Sequence, residues 1–336
     1  MKTYQIENYG SIDGLKIVDA PDLRAGEGEV VVRMRAASLN YRDTMVVAGQ
    51  YGGNPQPGLT PLSDGAGEVV EVGSGVTQWK MGDRVAGIFF QDWTQGRLTR
   101  AMMKTDLGGG IRGVLSQQVV FPQDALVRLP SHLSWEEGAT LPCAAVTAWH
   151  ALEKGELGRD DTLLVLGTGG VSIFALQFAK ARGARVILTS SSDQKRERAR
   201  ALGADETINY NETPDWDKRV YELTGSEGAA HVVEVGGNGT WEKSLRSLRI
   251  GGVMSMIGGV SGFGGQVNPF PVLFNSLTIN GIYVGSREMF EAMNRALEEH
   301  KIKPVIDRVF GFDQAREAFR HLESGAHIGK VVISID

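Results

Sequence analysis

The sequence predicts an α/β protein of two domains, a turn-rich β domain and a doubly wound parallel sheet. Three observations carry that expectation. A chain of 336 residues exceeds one typical domain and suits two. Its first third carries glycine-bounded apolar runs with strand character, and 44 glycines fit a β domain rich in turns. From about Ser134 onward, helix-period and strand-period segments alternate, which is the signature of parallel strands joined by helices.

In chain order, Glu29-Val30-Val31-Val32-Arg33-Met34-Arg35 is the first strand. Gly67-Glu68-Val69-Val70-Glu71-Val72-Gly73 alternates with period two between glycines, and Asp83-Arg84-Val85-Ala86-Gly87 follows. Residues 92–113 lack periodicity, carry Gly108-Gly109-Gly110 near their end, and read as a surface excursion or lid. Helices are expected over 135–152 (broken at Pro142), 171–182, 193–202, 216–224 and 239–248. Strands are expected over 162–166, 185–189, 206–208, 231–235, 252–256 and 277–282. The last fifty residues hold a helix around 289–299 and a short strand, Lys330-Val331-Val332-Ile333-Ser334, expected to return to the first domain.

Composition narrows the function classes. The chain is 42% hydrophobic and 22% charged, with no apolar run of membrane-spanning length and no signal-peptide core at Met1-Lys2-Thr3-Tyr4. A net charge of -5 gives no support for nucleic-acid binding. The single cysteine, Cys143, excludes an intrachain disulfide and a multi-cysteine zinc site, and fits a reducing cytoplasm. The six histidines show no metal-like spacing.

The most informative segment is Thr162-Leu163-Leu164-Val165-Leu166-Gly167-Thr168-Gly169-Gly170-Val171-Ser172, where a strand runs into close glycines and then a helix. Glycine lets the chain turn sharply and lets a pyrophosphate approach the backbone; the N–H groups and dipole of the following helix hold the anion. This assigns a dinucleotide to Thr168, Gly169, Gly170 and Val171. Ser172 stands where the usual spacing has a third glycine, and is small enough for close helix–strand packing. Glycine-rich turns also join strands to helices with no ligand, so the downstream strand Arg185-Val186-Ile187-Leu188-Thr189, which completes a βαβ unit, carries the argument.

With these segments in view, the chain resembles the medium-chain dehydrogenase/reductase superfamily along essentially its whole length. The match lies in Ser38-Leu39-Asn40-Tyr41-Arg42-Asp43, the run from Asp64 to Gly73, Gly82-Asp83-Arg84-Val85, Leu141-Pro142-Cys143-Ala144-Ala145-Val146-Thr147-Ala148, and the Gly167 loop. The resemblance implies a GroES-like β domain (1–145 and 284–336), a Rossmann domain (146–283), and a substrate cleft between them. In the zinc-dependent branch two cysteines and a histidine hold the catalytic metal. The matching positions here are Asn40, Ser63 and Ala144, none an ordinary zinc ligand, and no metal is expected. Cys143 beside that position reads as buried packing. What remains resembles zinc-free quinone oxidoreductases and enoyl reductases. Without a Lewis acid, the easier hydride acceptors are already electron-poor: quinones, or alkenes conjugated to a carbonyl.

The cofactor expected is NADP(H). An NAD site carries an acid about 20 residues past the glycines, and Ser190 stands there. The resemblance places Ser191, Lys195 and Tyr210 around a 2′-phosphate, which hydroxyls and a cation suit and a carboxylate repels. Two features argue the other way: Lys195, Arg196, Arg198 and Arg200 also read as one solvated helix face, and Asp193 lies close by. For the nicotinamide end the resemblance points to Asn40, Thr147, Ile257, Val284 and Ser286. Gly236 and Gly237 line the carboxyl edge of the sheet, or serve as a simple turn, as Gly258-Gly259 do.

Tyr51 is the candidate side chain acting on substrate, because its spacing from Asn40 matches a tyrosine that enoyl reductases use as proton donor. It also reads as a partly exposed aromatic beside Gly52-Gly53. Met45 stands where the quinone reductases carry a second tyrosine. Asn40 and Asp43 are candidates for holding their own loop, and Arg42 for binding cofactor phosphates or pairing with Asp43 or Asp64. The expected activity is NADPH-dependent reduction of a quinone or an α,β-unsaturated carbonyl. The alternatives are a zinc-free alcohol or aldehyde dehydrogenase, and a crystallin-like or sensor protein that binds NADPH without turnover. The partners expected are a small-molecule substrate and a second copy of the chain, paired through the strand at 277–282 into a homodimer.

Overall fold

The computed structural model describes residues 1–52, 56–262 and 264–336, and the chain divides into two compact units, Met1–Val146 with Val284–Asp336, and Thr147–Tyr283. Gly53, paired with Gly52 in the sequence reading, lies outside the described residues.

The second unit is a six-stranded sheet in which every neighbouring pair is parallel. Its order is Glu206–Asn209, Arg185–Ser190, Thr162–Leu166, Ala229–Glu234, Leu248–Met256, Thr278–Gly281. Numbered along the chain within this unit, that is 3-2-1-4-5-6, so the order reverses between Thr162–Leu166 and Ala229–Glu234. At such a reversal the loops at the carboxyl ends part and leave a crevice. The three central strands are buried on both faces, which explains their apolar runs: Leu163, Leu164, Val165, Val186, Ile187, Val232 and Val233 are all fully buried. The helices Gly170–Ala181, Asp193–Ala201 and Trp216–Leu223 begin and end within two residues of their sequence-predicted limits. The helix expected over 239–248 is shorter, Trp241–Arg246, because Leu248 already starts a strand that continues to Met256.

The first unit is built on a seven-stranded sheet among the described residues. Its path is Ile306–Phe310, Lys330–Ser334, Glu29–Leu39, Asp64–Val72, Arg84–Gly87, Leu126–Arg128, with Gln118–Pro122 also pairing with Glu29–Leu39. A separate antiparallel pair joins Lys2–Ile6 to Leu15–Asp19. The carboxyl-terminal strand pairs antiparallel with Glu29–Leu39, Val331 opposite Leu39 and Ser38 opposite Val332. On its other side Ser38 lies opposite Asp64. This register brings Asn40, Ser63, Asp64 and Lys330, far apart in sequence, to one end of the sheet.

Two segments carry more structure than their sequence pattern shows. Residues 92–113 are irregular and mostly exposed, as expected, but Trp93 and Leu107 are buried and Asp106 is 5% exposed, because the end of the segment folds back to satisfy a buried arginine. The helix over 135–152 is three pieces. Trp135–Ala139 starts in a capping box between Ser134 and Glu137, Leu141–Ala145 forms a wider turn, and Val146–Lys154 resumes. Pro142 cannot donate an N–H, so the ladder loosens around it.

Candidate functional site

In the second unit the strand Thr162–Leu166 ends in Gly167, whose φ of +71° is a left-handed turn that favours glycine. Gly169 then caps the helix Gly170–Ala181 and offers no side-chain acceptor to its first-turn N–H groups. A Cβ built on Gly169 meets nothing within 4 Å, so protein packing does not demand glycine there. Ser172 is 1% exposed and donates its hydroxyl to the Leu166 carbonyl oxygen at 2.6 Å. That bond satisfies the polar group that distinguishes it from the missing glycine.

The next strand ends at Ser190, buried at the expected acidic position, where its Oγ accepts the Ser192 N–H at 3.3 Å. Tyr210 N–H donates to the Ser190 carbonyl at 3.1 Å and its side chain is 40% exposed, so Ser190 and Tyr210 are neighbours. Ser191 is exposed, and Lys195 enters its helix with its N–H on the Ser192 hydroxyl at 3.4 Å. Asp193, the residue that spoke against a phosphate, accepts from Arg196 at 2.7 Å and Asn209 at 3.1 Å. Arg196 is further tied to Thr207, so it does not belong to a solvated face.

The strand Ala229–Glu234 ends in a fully buried carboxylate that sequence reasoning missed. Glu234 Oε1 accepts N–H bonds from Gly236 (2.7 Å) and Gly237 (2.9 Å) and the Thr240 hydroxyl (2.7 Å), while Oε2 accepts from Ser244. A carboxylate so bonded sets the loop's path. Gly237, with φ +87°, has no room for a Cβ, which would lie 2.7 Å from Gly259 Cα. Ile257 N–H donates to the Glu234 carbonyl at 2.9 Å, so Gly236, Gly237 and Ile257 form one loop pair. Thr168, Gly169, Gly170, Val171, Ser190, Ser191, Tyr210, Gly236 and Ile257 thus all follow carboxyl ends of parallel strands, with Lys195 one turn into the next helix. Thr147 instead sits, 3% exposed, on the helix Val146–Lys154.

The first unit holds Asn40, Tyr51, Val284 and Ser286. Asn40 precedes the helix Tyr41–Val47, and its N–H donates to Asp43 Oδ2 at 2.7 Å, the local role expected of this pair. Asp43 is fully buried; burial raises its carboxyl to about 6 despite the neighbouring Arg42. Arg42 resolves its open assignment by bonding Asp43 (3.3 Å), Asp106 (2.5 Å) and the Leu107 carbonyl (2.7 Å), with its guanidinium 4.5 Å from the Tyr51 ring centroid. Tyr51 packs, partly buried, against the unit's hydrophobic core.

Around Asn40 lies a second buried polar group. Ser63 donates to Asp64 Oδ1 at 2.7 Å, and Asn40 Nδ2 lies 3.5 Å from Ser63 Oγ. Lys330 is only 3% exposed and its ammonium donates to Asn40 Oδ1 (2.5 Å) and the Leu39 carbonyl (2.6 Å), 3.7 Å from Asp64 Oδ2. Burial pushes the Asp64 carboxyl up and Lys330 opposes that shift. The sequence reading missed Lys330; a lysine opening an otherwise apolar strand was the available signal. Cys143 donates its backbone N–H to Asp64 at 3.2 Å, and burial together with the Asp64 charge pushes its thiol up, which suits packing and not nucleophilic attack. Among the described residues no group of three or more His, Cys, Asp or Glu side chains is placed to hold a metal ion.

Val284 adopts φ +56°, strained for a β-branched residue, and Ser286 caps the helix Arg287–His300 by accepting the Met289 N–H at 3.2 Å. The Ser286 carbonyl is engaged as well, accepting the Phe290 N–H at 3.0 Å. No helix among the described residues is long and apolar enough to cross a membrane.

Two family models match the chain. The alcohol dehydrogenase GroES-like domain covers residues 26–131, and the zinc-binding dehydrogenase domain covers residues 170–299. A zinc-type alcohol dehydrogenase-like protein of Schizosaccharomyces pombe is 46% identical over 92% of this chain and 91% of its own length. A quinone oxidoreductase of Pseudomonas aeruginosa is 33% identical over 99% of both. Among solved structures, an NAD-dependent alcohol dehydrogenase superposes with a TM-score of 0.92 at 35% identity, covering 100% of both chains. The Escherichia coli quinone oxidoreductase complexed with NADPH superposes with a TM-score of 0.85 at 27% identity, also over 100% of both. With a GroES-like β unit, a 3-2-1-4-5-6 Rossmann sheet and relatives matched along nearly their full length, the chain belongs to the medium-chain dehydrogenase/reductase family of oxidoreductases.

Proposed function

We propose that the protein is an NADPH-dependent, zinc-independent oxidoreductase that delivers hydride to a quinone or to an alkene conjugated with a carbonyl. The observation that carries the reading is the helix Gly170–Ala181: it opens at the sheet's reversal point with no side chain on its first-turn N–H groups, beside a second strand that ends in Ser190 and not in an acid. The open space at Gly169 fits a pyrophosphate lying against the backbone. The similar quinone oxidoreductase of Escherichia coli, solved with NADPH, supports the same cofactor.

When bound, reduced nicotinamide supplies the hydride, and with it two electrons, to the electron-poor carbon. The chain's residues do the rest. The helix N-terminus neutralises the pyrophosphate. Ser191, Lys195 and Tyr210 hold the 2′-phosphate, with Asp193 kept from repelling it by Arg196 and Asn209. Thr147, Gly236, Ile257, Val284 and Ser286 orient the ring. In the first unit, Asn40 offers an amide N–H to the acceptor's carbonyl oxygen. Tyr51, held under Arg42, offers a phenolic proton to that oxygen once the electron pair has moved onto it. Asn40, Ser63 and Ala144 stand where the zinc-dependent branch carries its ligands, which supports an acceptor that needs no Lewis acid. The exposed Phe270, Leu273 and Phe274 next to the edge strand Thr278–Gly281 support a homodimer formed through that edge.

A second reading is favoured by one observation, the 35% identity to an NAD-dependent alcohol dehydrogenase. A panel of quinones, enones and primary alcohols with both nicotinamides separates the two. Oxidation of NADPH by a quinone or enone, with alcohols inert, is expected. Alcohol oxidation with NAD and no turnover of quinones or enones overturns the proposal.

A further inference from the structure

Lys330 is an unusual residue for its position. It opens the strand Lys330–Ser334, whose Val331, Val332 and Ile333 are fully buried, and it is itself 3% exposed. A buried ion pair is weak evidence for stability, since an apolar residue of similar volume often does as well. The bonds it makes are more telling. An ammonium has three donors and no acceptor. One goes to the Leu39 carbonyl at 2.6 Å and one to Asn40 Oδ1 at 2.5 Å, while Asp64 Oδ2 lies 3.7 Å away. Because only an oxygen can face the ammonium, the Asn40 carboxamide has one allowed orientation, with its nitrogen turned away from Lys330 and toward Asp64 and Ser63; one of its two hydrogens goes to the buried Asp64 carboxylate. The other hydrogen has only the contact with Ser63 Oγ at 3.5 Å, long enough to yield to a better acceptor.

We infer that Lys330 is a positioning residue that locks the Asn40 carboxamide by its oxygen and polarises it, so that Asn40 Nδ2 donates a charge-strengthened hydrogen bond to the oxyanion forming on the acceptor. This rests on the hydride-transfer function proposed above. As hydride adds to the acceptor's carbon, the electron pair of the double bond moves to the carbonyl oxygen, and a proton from Tyr51 or water later neutralises it. A fixed cation behind the Asn40 amide lowers the energy of that oxygen's charge without being consumed. The competing view is that Lys330 serves only as counter-ion to the buried Asp64.

The experiment measures kcat and KM for an enone or quinone, the NADPH Kd by tryptophan fluorescence, and the melting temperature in wild type, K330M, K330R and the K330M/D64N pair. Methionine at 330 leaves Asp64 uncompensated, so K330M is expected to melt lower; K330M/D64N removes both charges and recovers most of that loss. If Lys330 positions Asn40, kcat of K330M/D64N stays about 10- to 100-fold below wild type with NADPH Kd within about threefold, and K330R retains more activity than K330M/D64N. Recovery of wild-type kcat in K330M/D64N shows a counter-ion only and overturns the inference. A wild-type protein that turns over no acceptor instead overturns the function proposed above, and the inference falls with it.

Discussion

The hydroxyl of Ser172 donates to the carbonyl oxygen of Leu166 at 2.6 Å, tying the helix after the glycine loop to the end of the strand before it. At this point of a dinucleotide-binding turn a third glycine is usual, and here one buried hydroxyl has been fitted in its place. Ser172→Ala keeps the volume nearly unchanged but leaves the Leu166 carbonyl without that donor. We expect a loss of about 1–3 kcal/mol, read as a lower midpoint in urea with an unchanged slope. An unaltered midpoint contradicts the role given to this bond.

Among the described residues Arg42 is the sole cation bonded to Asp106, and it also bonds Asp43; these carboxylates are 5% and 0% exposed. Arg42→Met strands both in an apolar setting. The expected cost is about 3–5 kcal/mol, seen as a large drop in melting temperature at pH 7. Losing the guanidinium raises both carboxyl groups beyond what burial already does, so the variant takes up these protons at higher pH than the wild type, and the deficit narrows as pH falls toward about 6, where Asp43 also protonates in the wild type. A deficit that stays constant from pH 7 to pH 5 argues against this explanation.

His231 lies within the parallel sheet, 1% exposed, with Nε2 2.8 Å from Ser255 Oγ. Burial lowers its pKa to about 4. The unfolded chain binds that proton near pH 6.5, so between the two values the unfolded state holds more protons. Stability is therefore lost as pH falls from 6.5 toward 4, by about 3 kcal/mol in total. His231→Gln keeps a partner for Ser255 and cannot titrate, so the difference between the two proteins' stabilities shifts in favour of the variant as the pH falls. Parallel stability curves across that window sink the assignment.

The phosphate pocket proposed around Ser191, Lys195 and Tyr210 makes a prediction about selectivity. A charge-assisted bond to phosphate contributes about 1.5–3 kcal/mol. Lys195→Glu is thus expected to raise the Michaelis constant for NADPH by at least about tenfold while changing that for NADH by much less. Steady-state kinetics with both coenzymes checks it, and equal effects on the two speak against a phosphate at this helix.

Some of this protein is written locally in its chain. The Rossmann sheet was legible because its central strands Thr162–Leu166 and Arg185–Ser190 carry apolar runs between turn residues, and each helix has its own period. Such patterns are set by neighbours a few residues apart. The glycine loop was legible for the same reason: Gly167 must adopt a positive φ, a local requirement. The first unit was harder to read. Its strands Lys2–Ile6, Gln118–Pro122 and Ile306–Phe310 are short and lack clean alternation, since pairing partners and not local pattern hold them in place.

What the tertiary structure alone decided is which polar groups neutralise one another. Arg42 had three possible partners in the sequence, and the fold of residues 92–113 supplied a fourth, Asp106. Glu234 looked like an ordinary strand end until the folded loops turned four donors onto it. Lys330 met Asn40 across 290 residues because antiparallel register placed Val331 opposite Leu39. Hydrophobic periodicity is a property of short windows and survives in the linear text. Burial of charge is not: a carboxylate or ammonium leaves water only when distant segments close over it, so its partner is known only after the chain has folded.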